Sequence, residues 1–177
     1  MKAKLYTPIL ILALIATYSA SAPHHTITEI KLAIINQDPE KLSEYIDFPI
    51  LRQNLKNQEN SIVDFNAAEL NSTPSALFAA GIITAIFEKQ VDSLITPYEL
   101  ASILETRLKS ENHKRDSNES IDKDRLFQNA TLHFKSIDTY LALAPYGINK
   151  ELKLILQRNT LTWKLVNIIF SDQNSIN

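Results

Sequence analysis

The stretch that decides the fold runs from Ala130 to Ile169: ATLHFKSIDTYLALAPYGINKELKLILQRNTLTWKLVNII. Here the apolar residues recur at every second position, the period of an extended chain whose side chains alternate between two faces. Ala130 to Ala144 predicts one strand, with Leu132 and Phe134 on one face and Ile137, Leu141 and Leu143 on the other. The change of phase at Ser136 to Asp138 is expected to be a bulge. Pro145-Tyr146-Gly147-Ile148-Asn149 predicts a turn. Lys150 to Arg158 then alternates with Leu152, Leu154 and Leu156 inward, Asn159 turns the chain, and Leu161, Trp163, Leu165 and Ile169 carry a third strand.

Upstream the period is helical and the punctuation is clear. Asp38-Pro39, Thr73-Pro74 and Thr96-Pro97 each place a capping side chain before a proline. The cap accepts a bond from an otherwise orphaned amide, and proline in the first turn loses no bond because its missing N–H had no partner. Thr96-Pro97-Tyr98-Glu99 adds the spacing of a capping box, with Glu99 placed to reach back to the Thr96 amide. Five helices are expected: Thr26–Asn36, Pro39–Ile46, Pro49–Leu70, Pro74–Ile95 and Pro97–Lys109. The third carries a stripe of Leu51, Leu55, Ile62 and Phe65, and the fifth one of Leu100, Ala101, Leu104 and Leu108. The fourth is apolar all round over more than three turns, so it belongs in a core or lines a cavity. Gly81 inside it costs about 1 kcal/mol relative to Ala, which is the expected signature of another element approaching closely. Ser110 to Asp124 holds almost nothing that can be buried and is expected to be a solvated loop. Helices first and an antiparallel meander last make an α+β fold, N-terminal helices packed on a C-terminal antiparallel sheet. The element order suggests a cystatin-like or nuclear-transport-factor-2-like cone.

The first residues read as an export signal. Lys2 and Lys4 are followed by an apolar run from Leu5, and Ala20-Ser21-Ala22 fits a small-residue cleavage site. The run is shorter than the roughly 20 residues of a membrane-spanning helix. Cutting after Ala22 would leave Pro23 at the new N-terminus, and cutting after Ser21 would avoid that. The expectation is a signal peptide over residues 1–22 and a single domain over 23–177, periplasmic or secreted, with no stable membrane insertion once the signal is removed. Loss of Lys2 and Lys4 leaves 16 basic residues against 20 acidic ones, a net charge of −4, which argues against nucleic acid as a partner. The chain has no cysteine, so thiol catalysis, thiolate zinc and disulfide support are excluded together.

Gln37 to Lys56, QDPEKLSEYIDFPILRQNLK, resembles a family of exported bacterial proteins known only as a domain of unknown function, number 2939. Its sharpest piece is Tyr45-Ile46-Asp47-Phe48-Pro49-Ile50-Leu51-Arg52. Beside it stand an apolar middle helix, a Thr-Pro helix start, and Trp163-Lys164-Leu165-Val166-Asn167-Ile168 near the end. The resemblance implies an exported single domain and brings no activity with it.

Candidate chemistry is sparse. Arg52 and Lys56 share a helix face with Asp47 at its start, which would suit an anion, or Asp47 caps the helix and pairs Arg52. Four histidines, His24, His25, His113 and His133, show no ligand spacing, so no metal is expected. With Gly81 and Gly147 the only glycines, no phosphate-cradling loop exists, and no cofactor is expected. Asp38, Asp47, Thr73, Thr96 and Glu99 are assigned to capping. Arg52, Phe78, Ile82, Phe134, Tyr140 and Trp163 are the candidate ligand-binding residues. The expected role is a non-enzymatic module that binds a small apolar ligand or a protein partner in the cell envelope. The alternative is an inhibitor or immunity-type protein that plugs another protein's site with loops at one end of the sheet.

Overall fold

The computed structural model of the protein describes residues 22–58, 73–114, 122–147, 149–160 and 162–172. The expected leader, apart from Ala22, lies outside the described residues, as do Ile62 and Phe65 of the expected third helix.

Local chemistry fixes the helix starts. Helix α1 spans residues 22–36, beginning four residues ahead of Thr26, whose Oγ1 donates to the Ala22 carbonyl at 3.1 Å. Helix α2 spans Pro39–Tyr45, α3 Phe48–Lys56 and α4 Pro74–Phe87. Their first-turn amides donate to the expected caps: Lys41 N to Asp38 Oδ1, Ile50 N to Asp47 Oδ1, and Ala76 N to Thr73 Oγ1. Helix α6, Pro97–Lys114, starts with Glu99 N donating to Thr96 Oγ1 at 3.2 Å. It runs five residues into the segment expected to be a loop. A 3-10 turn at Lys123–Arg125 then returns the chain to the core through Leu126 and Phe127.

The expected fourth helix is broken in two. Lys89 adopts a left-handed φ of 55°. Its amide bonds the Ile86 carbonyl, and the Gln90 amide bonds the Ala85 carbonyl, the paired bonds of a Schellman cap. A separate short helix, α5, covers Val91–Leu94. The same device ends α1, with Gln37 at φ 55° and the Asp38 amide bonding the Ala33 carbonyl.

The sheet has four strands, not three. Strand β1 is Thr131–Ser136, β2 Thr139–Gly147, β3 Lys150–Asn159 and β4 Thr162–Asp172, paired antiparallel in the order β1-β2-β3-β4. The expected bulge at Ser136 to Asp138 is a hairpin turn at Ile137-Asp138, closed by the pair Ser136 and Thr139. Tight reversal there is held by the Asp138 carboxylate, which accepts from Ser136 Oγ and from Thr139 Oγ1.

One strand departs from the expected alternation, and another fills its inward face with small residues. In β2 the buried residues are Ala142, Ala144 and Tyr146, while Leu141 and Leu143 are half-buried on the far side. Small inward residues let α4 lie close against β2. In β4 a register shift opposite Ile155 and Leu156 adds Val166 to the strand, so Ile168 rather than Ile169 turns inward.

Helices and sheet share one core, from Ile30 and Ile34 of α1 through Phe78 and Ile82 of α4 to Leu152, Leu154 and Trp163 of the sheet. Helix α3 guards the β4 edge. Asp47 N donates to the Leu165 carbonyl at 3.0 Å, Asn54 Nδ2 to Val166 at 2.8 Å and Gln58 Nε2 to Ile168 at 3.0 Å. Backbone acceptors that would otherwise template another strand are thus occupied. The β1 edge carries no such cover among the described residues, and four of its six residues are exposed.

Candidate functional site

Of the sequence candidates, Phe78 and Ile82 face the core of α4 at 1% and 0% exposure. Phe78 meets Phe127 edge-on at 5.6 Å. Phe134, Tyr140 and Trp163 share one face of the sheet. Their rings meet edge-on at 5.5 Å and 5.1 Å, in a row from exposed Phe134 to buried Trp163. Arg52 sits elsewhere. Its guanidinium donates to the Ile95 carbonyl at 3.2 Å and faces Asp92 at 3.9 Å. Lys56 Nζ is 2.6 Å from the same Asp92 carboxylate. The basic face of α3 therefore meets an acid from α5 and not Asp47, because tertiary packing brings α5 against it. The anion that this face could hold is supplied from within the chain.

Two clefts stand apart from these residues, and neither is lined by any of the six. One, of about 160 Å³, lies at the α4 N-terminus beside Arg125 and Asn129. Two of its polar groups are engaged: Ser75 Oγ accepts from the Phe127 amide at 2.9 Å, and Arg125 pairs Asp122 at 3.7 Å.

The other, also about 160 Å³, is a trough between α4 and α6 lined by Gly81, Thr84, Leu94, Glu99, Ile103 and Arg107 among others. It exists because of how each helix is written. On α6 the core stripe of Leu100, Ala101, Leu104 and Leu108 leaves a second stripe at Glu99, Ser102, Ile103, Thr106 and Arg107. That spacing puts all five along one side of the helix. On α4, Gly81 lets α6 come in: a Cβ there would lie 2.4 Å from both Cγ1 and Cδ1 of Ile103. The expected close approach at Gly81 is thus made by Ile103. Sequence reasoning missed the stripe itself, whose only signal was Gly81 facing a helix with a second, mixed face.

The electrostatics of the trough are uneven. Arg107 Nη2 donates to Thr84 Oγ1 at 2.6 Å, and that hydroxyl donates on to the Ala80 carbonyl at 2.8 Å. Among the described side chains, which on α6 end at Lys109, no carboxylate pairs Arg107. Two residues before Arg107, on the core-side flank of α6, Glu105 is tied to Lys123 Nζ at 2.5 Å, and this hydrogen-bonded ammonium holds its carboxyl below the usual range. Among the described residues no group of three or more His, Asp or Glu is placed to hold a metal ion, and no helix is long and apolar enough to cross a membrane.

No curated protein and no solved structure matches the chain, so the expected cone gains no support from a known fold. One family model matches, that of the family described as "Protein of unknown function (DUF2939)", over residues 12–103. The matched stretch takes in α1 to α5 and the start of α6, including Gly81 and Ile103, and stops short of the sheet and of the Trp163 segment. Covering more than half of the 177 residues, the match shows that this chain belongs to the DUF2939 family.

Proposed function

We propose that the protein is an exported, non-catalytic binding module that takes a small apolar ligand in the trough between α4 and α6. The observation that carries the reading is the trough itself. Gly81 and Ile103 make an apolar floor, and Arg107, half-buried and without a carboxylate partner among the described residues, stands over one end. Small-molecule sites combine an apolar lining with a few placed polar groups, which is the composition found here. The export leader read in the sequence would put the ligand in the cell envelope. A direct test is native mass spectrometry of the protein isolated from its own cells, beside Ser102→Phe, which sets a ring in the trough. A retained adduct in the wild type and none in the variant supports the reading. Clean apo masses for both would sink it.

A second reading, a plug inserted into another protein's site, draws on the β1–β2 hairpin. Ile137 at its tip is 80% exposed and Phe134 beside it 64% exposed. Photo-crosslinking from position 137 in living cells tests it, with Tyr98, 70% exposed, as the control position. One discrete adduct from 137 alone favours the plug; equal labelling from both positions removes the case for it.

A further inference from the structure

We infer that the trough between α4 and α6 recognises a short monocarboxylate, its charged end on Arg107 and its aliphatic stem against Ile103, which is seated on Gly81. The inference rests on the trough being the ligand site. A guanidinium offers five N–H donors in a planar fork that matches both oxygens of a carboxylate. At Arg107 one corner is fixed by Thr84, itself fixed by Ala80, so the fork is held in place and the donors not used by Thr84 remain for a ligand. Among the described side chains no acid neutralises this cation.

At the other end Glu99, eight residues earlier on α6, stands about 12 Å away along the helix axis and repels an anion there. The trough therefore has a polarity, with an anion favoured at the Arg107 end only. Leu94 and Ile103 line the trough with apolar surface. Size limits the stem. A cavity of about 150 Å³ holds a benzene molecule, so a volume of about 160 Å³ suits a ligand of similar size, a carboxylate on three to five carbons. Such a group could be a free short-chain acid or the C-terminal aliphatic residue of a peptide.

Titration of the ¹⁵N-labelled protein with hexanoate, 1-hexanol and N-acetyl-leucine, followed by amide shifts, tests the inference. Hexanoate is expected to shift the Gly81, Ile103 and Arg107 amides saturably and to bind at least tenfold more tightly than 1-hexanol, the factor a charge-assisted hydrogen bond supplies. Arg107→Gln should erase that preference by weakening hexanoate, and Arg107→Lys should keep part of it. Tighter binding of N-acetyl-leucine than of hexanoate assigns the site to a peptide terminus, and the reverse assigns it to a free acid. Equal binding of hexanoate and 1-hexanol overturns the carboxylate and leaves the apolar site standing. No shift with any of the three probes overturns both. If Arg107→Gln does not fold, the comparison of hexanoate with 1-hexanol in the wild type decides alone.

Discussion

Replacing Gly81 with Ala sets two effects of similar size against each other. In a helix interior the change should stabilise by about 1 kcal/mol, because glycine loses more backbone freedom on folding than alanine. The new methyl, however, would stand 2.4 Å from Cγ1 and Cδ1 of Ile103, against an optimum of about 3.5–4.0 Å between carbons. Cγ1 moves only if χ1 turns, and χ1 of isoleucine in a helix is stiff. Overpacking of this kind costs about 1–3 kcal/mol. The net expectation for Gly81→Ala is a loss of about 0–2 kcal/mol. Ile103→Ala alone, at a half-buried position, should cost about 1–2 kcal/mol, less than the 2–5 kcal/mol of a fully buried site. In the double variant the clash is gone and the helix gain remains, so it should be about 1 kcal/mol more stable than Ile103→Ala. The coupling between the two sites is then about 1–3 kcal/mol, readable from urea unfolding by circular dichroism across the four proteins. Additivity within about 0.5 kcal/mol, or a full stabilisation by Gly81→Ala alone, would refute the close approach of α4 and α6.

Other expectations follow from the same structure. Trp163, 3% exposed and edge-on to Tyr140, should cost about 3–5 kcal/mol when changed to Ala, and a loss below about 1 kcal/mol in the same urea assay would show that it is not core. Thr160, a β-branched residue at φ 56° in the β3–β4 turn, should gain about 0.5–1 kcal/mol on replacement by Gly, and a lower melting temperature would contradict a left-handed turn there. Glu105 has its pKa lowered by the Lys123 ammonium bonded to it. The pair's stability is therefore fully present above the ordinary value of about 4.5 and is lost as pH falls through the lowered one. Glu105→Gln should flatten the loss of stability as pH falls below the ordinary glutamate value of about 4.5; an unchanged acid slope would mean that the pair adds nothing.

Helix starts were legible because their chemistry is local: Asp38, Asp47, Thr73 and Thr96 each meet an amide within three residues. The break after Phe87 was not, because its left-handed position is filled by Lys89 rather than glycine, and the apolar residues Val91, Leu94 and Ile95 continue a helical rhythm beyond it. The hairpin at Ile137-Asp138 was hidden in the same way, with an isoleucine where a turn residue would signal reversal. The alternation in β2 left open which face is inward, and Ala142 and Ala144 take it because α4 fills the space from the other side. Pairing of Arg52 and Lys56 with Asp92, and of Ile103 with Gly81, joins residues 22 to 40 apart in sequence. No local pattern could name those partners. Only the cost of a glycine in an apolar helix pointed toward the trough.

The most direct measurement is a crystal structure of the protein soaked with hexanoate at saturation. The expected result is a carboxylate within about 3 Å of the Arg107 guanidinium nitrogens, with the alkyl chain lying against Ile103 where it covers Gly81. An empty trough, or hexanoate seated only elsewhere on the molecule, would contradict the assignment.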